Sequence, residues 1–187
     1  MAYIEVIDHQ NAEGELKEIY DNLVKSRGQL AEVHKIQSLN PKTIVNHMDL
    51  YMSIMFGKSP IRRYQREMIA VIVSKANQCE YCQLHHGEAL NHFWKDAQKV
   101  NSLRDDFTKV ELNEKDLALC EYAWNHTLNP GKGNKETQAQ KLKDTGLNDR
   151  AVLDVNLVVA YFNFVNRLVL GLGVTLEKNE GKGFKYD

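Results

Sequence analysis

Residues 67–86 read EMIAVIVSKANQCEYCQLHH. Met68, Ile69, Ile72 and Val73 recur with helical period and carry a helix to about Ala76. Asn77 and Gln78 read as a break, and a second helix begins near Cys79 with Leu84, Ala89, Leu90 and Phe93. Cys79, Cys82 and His86 then sit at i, i+3 and i+7 of that helix and share one stripe. His85 is one residue off, about 100° around the axis, and is expected to face elsewhere. Glu67 lies on the preceding helix, separated from Cys79 by eleven residues, and a tight turn at Asn77–Gln78 would fold it back alongside.

Each residue type in this pattern has a chemical use. The reactive form of cysteine is the thiolate, and a C-x-x-C at a helix N-terminus favours it through the unsatisfied N–H groups there. His86 is placed to accept a thiol proton, and a carboxylate such as Glu67 orients and charges the imidazole, directly or through water. Two cysteines, His86 and Glu67 would also make a four-ligand zinc site, although no second Cys/His pair stands at finger spacing.

Outward from this segment the periods remain helical. Leu16, Ile19, Tyr20 and Leu23 form one face of a helix ended by Gly28, followed by a loop or short helix up to Leu39. Asn40 and Pro41 read as N-cap and N1 of a helix containing Ile44, Met48, Tyr51, Met52 and Met55 and closed by Gly57. Ser59 and Pro60 repeat that signal ahead of the helix holding Glu67. Lys95 to Glu111 accommodates one short helix, and Asn113 caps another with Leu117, Cys120, Tyr122 and Trp124. Pro130, Gly131 and Gly133 mark a loop, Lys135 to Lys143 a short polar helix, and Asn148 the cap of a last helix running to Leu170, stopped by Gly171 and Gly173. Val155 to Val159 favours strand by composition, but an apolar pattern of more than twenty residues is too long for one. The chain reads as all-α, with about six main helices and a polar, frayed tail.

The chain of 187 residues, 43% apolar and 26% charged, with a net charge of -1, has the profile of one globular domain. The charge balance excludes a strongly basic nucleic-acid binder. No stretch is expected to approach the roughly 20 apolar residues of a membrane span, and no secretory signal is visible at the start, so a cytoplasmic setting is expected. Three cysteines, an odd number, do not make a secreted disulfide framework. Cys120 reads as a buried small hydrophobe. His85 and His92 read as a surface pair, and His9, His34, His47 and His126 have no partner at chemical spacing. Met48, Met52 and Met55 are expected in core or interface. Asn163, Asn166 and Arg167 inside an apolar helix need partners, by capping a neighbouring helix, lining a pocket or meeting another subunit.

The pattern E-x11-C-x-x-C-x3-H, within REMIAVIVSKANQCEYCQLHHGEAL, resembles the active-site signature of the alkyl hydroperoxidase D-like proteins of the carboxymuconolactone decarboxylase superfamily, in the branch called peroxidase-related. A weaker likeness extends to YFNFVNRLVLGLGV near the end. The resemblance implies an alkyl hydroperoxidase D-like helical bundle: one domain over 1–187, with an N-terminal helical extension to about 57, a C-x-x-C core over about 58–175 and a polar tail over 176–187. It implies an antioxidant peroxidase in which Cys82 attacks the peroxide, Cys79 resolves the sulfenic acid to a disulfide, His86 is the base and Glu67 stands behind it. It implies no cofactor and no metal, a hydroperoxide substrate, a dithiol reductant on a lipoyl-bearing or thioredoxin-like protein, and a homo-oligomer, as dimer or trimer of dimers, with no nucleic acid or membrane partner. Lactone decarboxylation does not use this cysteine pair and is not what the motif supports. Family members carry His between the cysteines where this chain has Tyr81, a poor base at neutral pH. That substitution favours two alternatives: a thiol–disulfide oxidoreductase or redox sensor with little turnover, and a non-enzymatic oligomeric or zinc-stabilised module.

Overall fold

The structure, a computed structural model, describes residues 2–132, 135–179 and 181–185. Gly133 of the expected loop and Glu180, Tyr186 and Asp187 of the expected tail lie outside the described residues. The chain is all-helical: α1 (Gly14–Arg27), α2 (Glu32–Lys35), α3 (Pro41–Met55), α4 (Arg63–Ala76), α5 (Glu80–Trp94), α6 (Ala97–Asp106), α7 (Glu114–Leu128), α8 (Lys135–Asp144) and α9 (Asp149–Leu172). The six longest are the main helices expected from the periodicity.

The caps explain most boundaries. Asn113 Oδ1 accepts the Asp116 N–H and Asn148 Oδ1 the Ala151 N–H, each at 2.9 Å. Gly28 and Gly173 end α1 and α9 with φ of 90° and 67°, where a side chain would be strained. Pro41 stands in the first turn of α3, although Asn40 makes no side-chain cap. The start signal at Ser59–Pro60 is misplaced by three residues, because Ser59 is engaged elsewhere. Its Oγ donates to Asp154 Oδ2 at 2.5 Å and accepts the Ile61 N–H at 3.0 Å. The helix begins at Arg63 instead, where Gln65 Oε1 accepts the Arg62 N–H at 3.0 Å.

α4 is the axis of the molecule. It packs against α5, α7 and α9, and from Gln65 to Ala76 only Lys75 escapes burial. Met68, Ile69 and Ile72 are fully enclosed, each contributing about 1.5–3 kcal/mol through burial. Buried Arg66 fastens the α3–α4 connection by donating to the carbonyls of Ile54, Met55, Gly57 and Ile61 at 2.8–3.0 Å. A smaller cluster of Ala12, Leu16, Tyr20, Leu23 and Ile44 holds α1 on α3.

Two sequence expectations are corrected. α9 is long and apolar enough, by length and composition, to cross a membrane, with 24 residues and a hydropathy of 1.5. Here it packs against α3, α4, α7 and α8. The tail is not simply frayed: Glu177 is half-buried and residues 181–185 return onto α1, where Lys185 N–H donates to Arg27 O at 3.1 Å.

Candidate active site

The turn between α4 and α5 brings the motif together. Gln78 adopts φ 58°, its N–H donates to Lys75 O at 3.0 Å, and the Cys79 N–H donates to Ser74 O at 2.8 Å. This double bond pattern is a Schellman ending. Cys79 thereby becomes the N-cap of α5 and Cys82 lies in its first turn. α9 clamps the turn. Asn77 Nδ2 donates to Asn166 Oδ1 at 2.9 Å and Asn163 Oδ1 at 3.1 Å, while Asn166 Nδ2 donates to Ser74 Oγ at 3.1 Å. The buried asparagines therefore cap a neighbouring helix, one of the three uses expected of them.

The two sulfurs are 3.1 Å apart and both cysteines are reduced. Cys79 has no exposed surface, though it borders a pocket with Gln78, Leu84, Val169 and Leu176; Cys82 is 2% exposed and borders a separate cavity of ≈ 90 Å³. The pair shares its charge unequally. The hydrogen bond from Cys82 pulls the Cys79 thiol down against the opposing effect of burial, and the Cys82 backbone N–H adds to the pull. Cys82 is pushed well up by that same bond, by burial and by the Cys79 charge, with Asn166 working the other way. The lowered thiol is thus Cys79, at the helix N-terminus, 3.1 Å from Cys82 at the cavity wall.

Behind the cavity stands the expected acid. Glu67 is fully buried, its Oε2 meets His86 Nδ1 at 2.6 Å, and its Oε1 accepts from Arg63 Nη1. Burial pushes its carboxyl up, but His86 and Arg63 outweigh that and hold it below the usual value. The Nδ1 contact orients His86, whose ring packs edge-on to Phe162 at 4.4 Å and lines the same cavity as Cys82. Among the described residues no hydrogen bond joins His86 to either sulfur.

Several lining residues escaped the sequence reading. His34, His47, Tyr51 and Tyr161 face Cys82 across the cavity. His47 Nε2 lies 2.7 Å from Tyr161 Oη, and its Nδ1 lies 2.9 Å from Gln37 Nε2. Burial and the neighbouring His47 push His34 down to about 3, and burial pushes His47 down to about 4, so both are neutral at physiological pH. His85 does not face elsewhere: it lines the cavity beside His86, stacks on Tyr81 at 4.3 Å and meets Glu177 Oε2 at 2.7 Å. It therefore forms no surface pair with His92. Tyr81 donates to Glu177 Oε1 at 2.8 Å and accepts the Val33 N–H at 3.2 Å.

The remaining expectations are bland. Cys120 is fully buried, and burial pushes its thiol far up, leaving it an inert hydrophobe. Met55 is core, Met48 lines the cavity and Met52 is exposed. Among the described residues no group of three or more His, Cys, Asp or Glu is arranged to hold a metal.

Residues 46–106 match the model of the carboxymuconolactone decarboxylase family. No curated protein matches the chain. Among solved structures it is similar to an uncharacterized peroxidase-related protein from Silicibacter sp. TM1040, at 24% identity over 91% of this chain and 89% of the other, with a TM-score of 0.83. An alkylhydroperoxidase AhpD core protein from Ralstonia eutropha JMP134 is similar over 98% of both chains, at 19% identity and a TM-score of 0.86. The debrominase Bmp8, in complex with 2,3,4-tribromopyrrole, is similar over 95% of this chain and 93% of its own, at 20% identity and a TM-score of 0.79. Residues 46–106 thus carry the carboxymuconolactone decarboxylase family pattern, and the chain as a whole takes the alkylhydroperoxidase fold of the peroxidase-related proteins.

Proposed function

We propose that the protein is a thiol-dependent peroxidase that reduces hydroperoxides at Cys82. The observation that carries this reading is the asymmetry of the thiol pair: Cys82 borders the cavity shared with His86, while Cys79, 3.1 Å away and with no exposed surface, does not line it. His86 takes one proton from the pair, and the Cys82 thiolate attacks the terminal peroxide oxygen. The O–O bond breaks, leaving a sulfenic acid and an alkoxide that takes up the proton released by the Cys79 thiol to become the alcohol. The Cys79 thiolate then attacks the Cys82 sulfur and expels hydroxide, which recovers the proton from His86 as water. The separation is about 1 Å more than an S–S bond, so ring closure needs only side-chain rotation. Glu67 holds the imidazole and offsets its charge.

A dithiol carried by a lipoyl-bearing or thioredoxin-like protein of the cytoplasm returns the pair to the reduced state by exchange. The exposed apolar stripe of Leu153, Leu157 and Phe164 along α9 supports a homo-oligomer. One observation favours a second reading, a thiol–disulfide oxidoreductase with little peroxide turnover: Tyr81 is bonded to Glu177 and Val33 and takes no part in the Glu67–His86 pair. A dithiol-coupled assay across several hydroperoxides separates the two, with Cys82→Ser as the blank and 2,3,4-tribromopyrrole as a further acceptor. Peroxide-dependent dithiol consumption lost in Cys82→Ser is expected; equal rates in both proteins would end the peroxidase reading.

A further inference from the structure

The cavity holds two His–carboxylate pairs, and the Glu67–His86 pair accounts for one of them. His85 and His86 follow Cys82 at i+3 and i+4, so both are helical neighbours of the sulfur, and both line the cavity it borders. His86 is backed by Glu67 on α4. His85 is backed by Glu177, which arrives from the segment after α9, 92 residues away, and accepts the Glu32 N–H at 2.8 Å and the Tyr81 O–H at 2.8 Å as well.

The two pairs differ in charge balance. Glu67 is shared between His86 and Arg63, so that cluster is neutral with His86 uncharged and carries +1 with His86 protonated. Arg63 is already poorly accommodated, with Nε and Nη2 buried and unpartnered. Glu177 has His85 as its one ion-pair partner among the described residues, its other donors being the neutral Tyr81 hydroxyl and a backbone N–H. That cluster is neutral only with His85 protonated. Glu67 is thus already matched by Arg63, whereas Glu177 has no ion-pair partner among the described residues besides His85. The other groups facing His85 do not reverse this. His34 from α2 is neutral, Phe184 from the C-terminal segment is apolar, and the Arg27 guanidinium from α1 is seated over the Tyr51 and Phe56 rings at 5.7 and 5.0 Å.

The geometry points to His85, held by Glu177, as the group that protonates the alkoxide leaving from the attacked peroxide. This step rests on the peroxidase reading. Nε2 is held by Glu177, so the proton is delivered from Nδ1. As Cys82 sulfur bonds to the terminal oxygen and the O–O bond breaks, the alkoxide takes the His85 proton and departs as alcohol. The proton of Cys79 restores His85 when that thiol ionises to resolve the sulfenic acid, and His86 returns its own proton to the expelled hydroxide. Both imidazoles end as they began. Glu177 is a positioning residue for this acid and lies outside the segment that matches the family pattern.

The test varies the leaving group. Cumene hydroperoxide expels an alkoxide that needs a proton, whereas peracetic acid expels a carboxylate, an ordinary weak base with a pKa near 4. Single-turnover oxidation and iodoacetamide alkylation of Cys82 are measured in wild type, His85→Asn, Glu177→Gln and His86→Asn. His85→Asn is expected to lose roughly 10²-fold or more with cumene hydroperoxide, while peracetic acid and iodoacetamide rates stay near wild type. Glu177→Gln, which keeps the hydrogen-bond acceptor, loses less but in the same pattern, whereas His86→Asn slows all three reagents. Equal loss with both peroxides in His85→Asn, or no loss with either, overturns the assignment. A wild-type protein inert to every peroxide sinks the peroxidase reading and this step with it.

Discussion

Replacing Glu67 by Gln isolates the electrostatics on which the site depends. The substitution keeps the shape of a fully buried side chain but removes its charge, leaving the Arg63 guanidinium with no anion. Its remaining support is the Phe56 ring at 4.1 Å and the Phe93 ring at 5.9 Å. Breaking a buried pair by removing one partner costs about 3–5 kcal/mol. For a protein of this size that lowers the melting temperature by roughly 6–20 °C, at about 2–4 °C per kcal/mol. Removing both charges in Glu67→Gln/Arg63→Met restores most of the loss, because the uncompensated cation is gone. Urea unfolding of wild type, both single variants and the double variant measures the cycle. The pH dependence has a definite sign. The folded carboxyl is held below its ordinary 4.5, so its contribution is complete above pH 4.5 and drains as pH falls through the lowered value. Glu67→Gln should lack that acid-side loss. A single variant as stable as wild type, or a double variant that sums the two single losses, would refute the compensation argument.

Two further outcomes are expected. Gln78 is a non-glycine residue at φ 58° in the turn before Cys79, a conformation that favours glycine. Gln78→Gly should therefore raise stability by about 0.5–1 kcal/mol in urea unfolding after its greater unfolded-state freedom is counted, and a loss would show that the turn is not strained. Leu157 and Phe164, 39% and 50% exposed on α9, are the centre of the proposed subunit contact, so Leu157→Glu with Phe164→Glu should reduce the sedimentation mass to that of a monomer. A wild-type protein already monomeric at micromolar concentration contradicts the oligomer.

The parts of the site that were legible in the sequence are those fixed by local geometry. Cys79, Cys82 and His86 share a stripe because one helix carries all three, and Glu67 reaches His86 because a single two-residue break folds α4 onto α5. Arg63 was within reach of the same reasoning, since it stands four residues before Glu67, a spacing at which opposite charges meet on a helix. His34, His47 and Glu177 were not. Their partners lie in α5, α9 and α2, and no periodicity reports contacts across such separations. The i+1 argument that turned His85 away from the site counted angle but not the width of the cavity, which spans both faces. The fold class followed from helical period and caps, and the one misplaced start arose because Ser59 serves a tertiary bond to Asp154 rather than a helix N-terminus.

The central claim is that Cys82 is the sulfur that meets the peroxide, with Cys79 beside it but outside that cavity. Mass spectrometry of the Cys79→Ser and Cys82→Ser proteins after one equivalent of cumene hydroperoxide tests it directly. Oxidation trapped as a sulfenic acid at Cys82 in the first, with Cys79 unmodified in the second, is the predicted result. Rapid oxidation of Cys79 in the protein lacking Cys82 would reverse the roles and contradict the account.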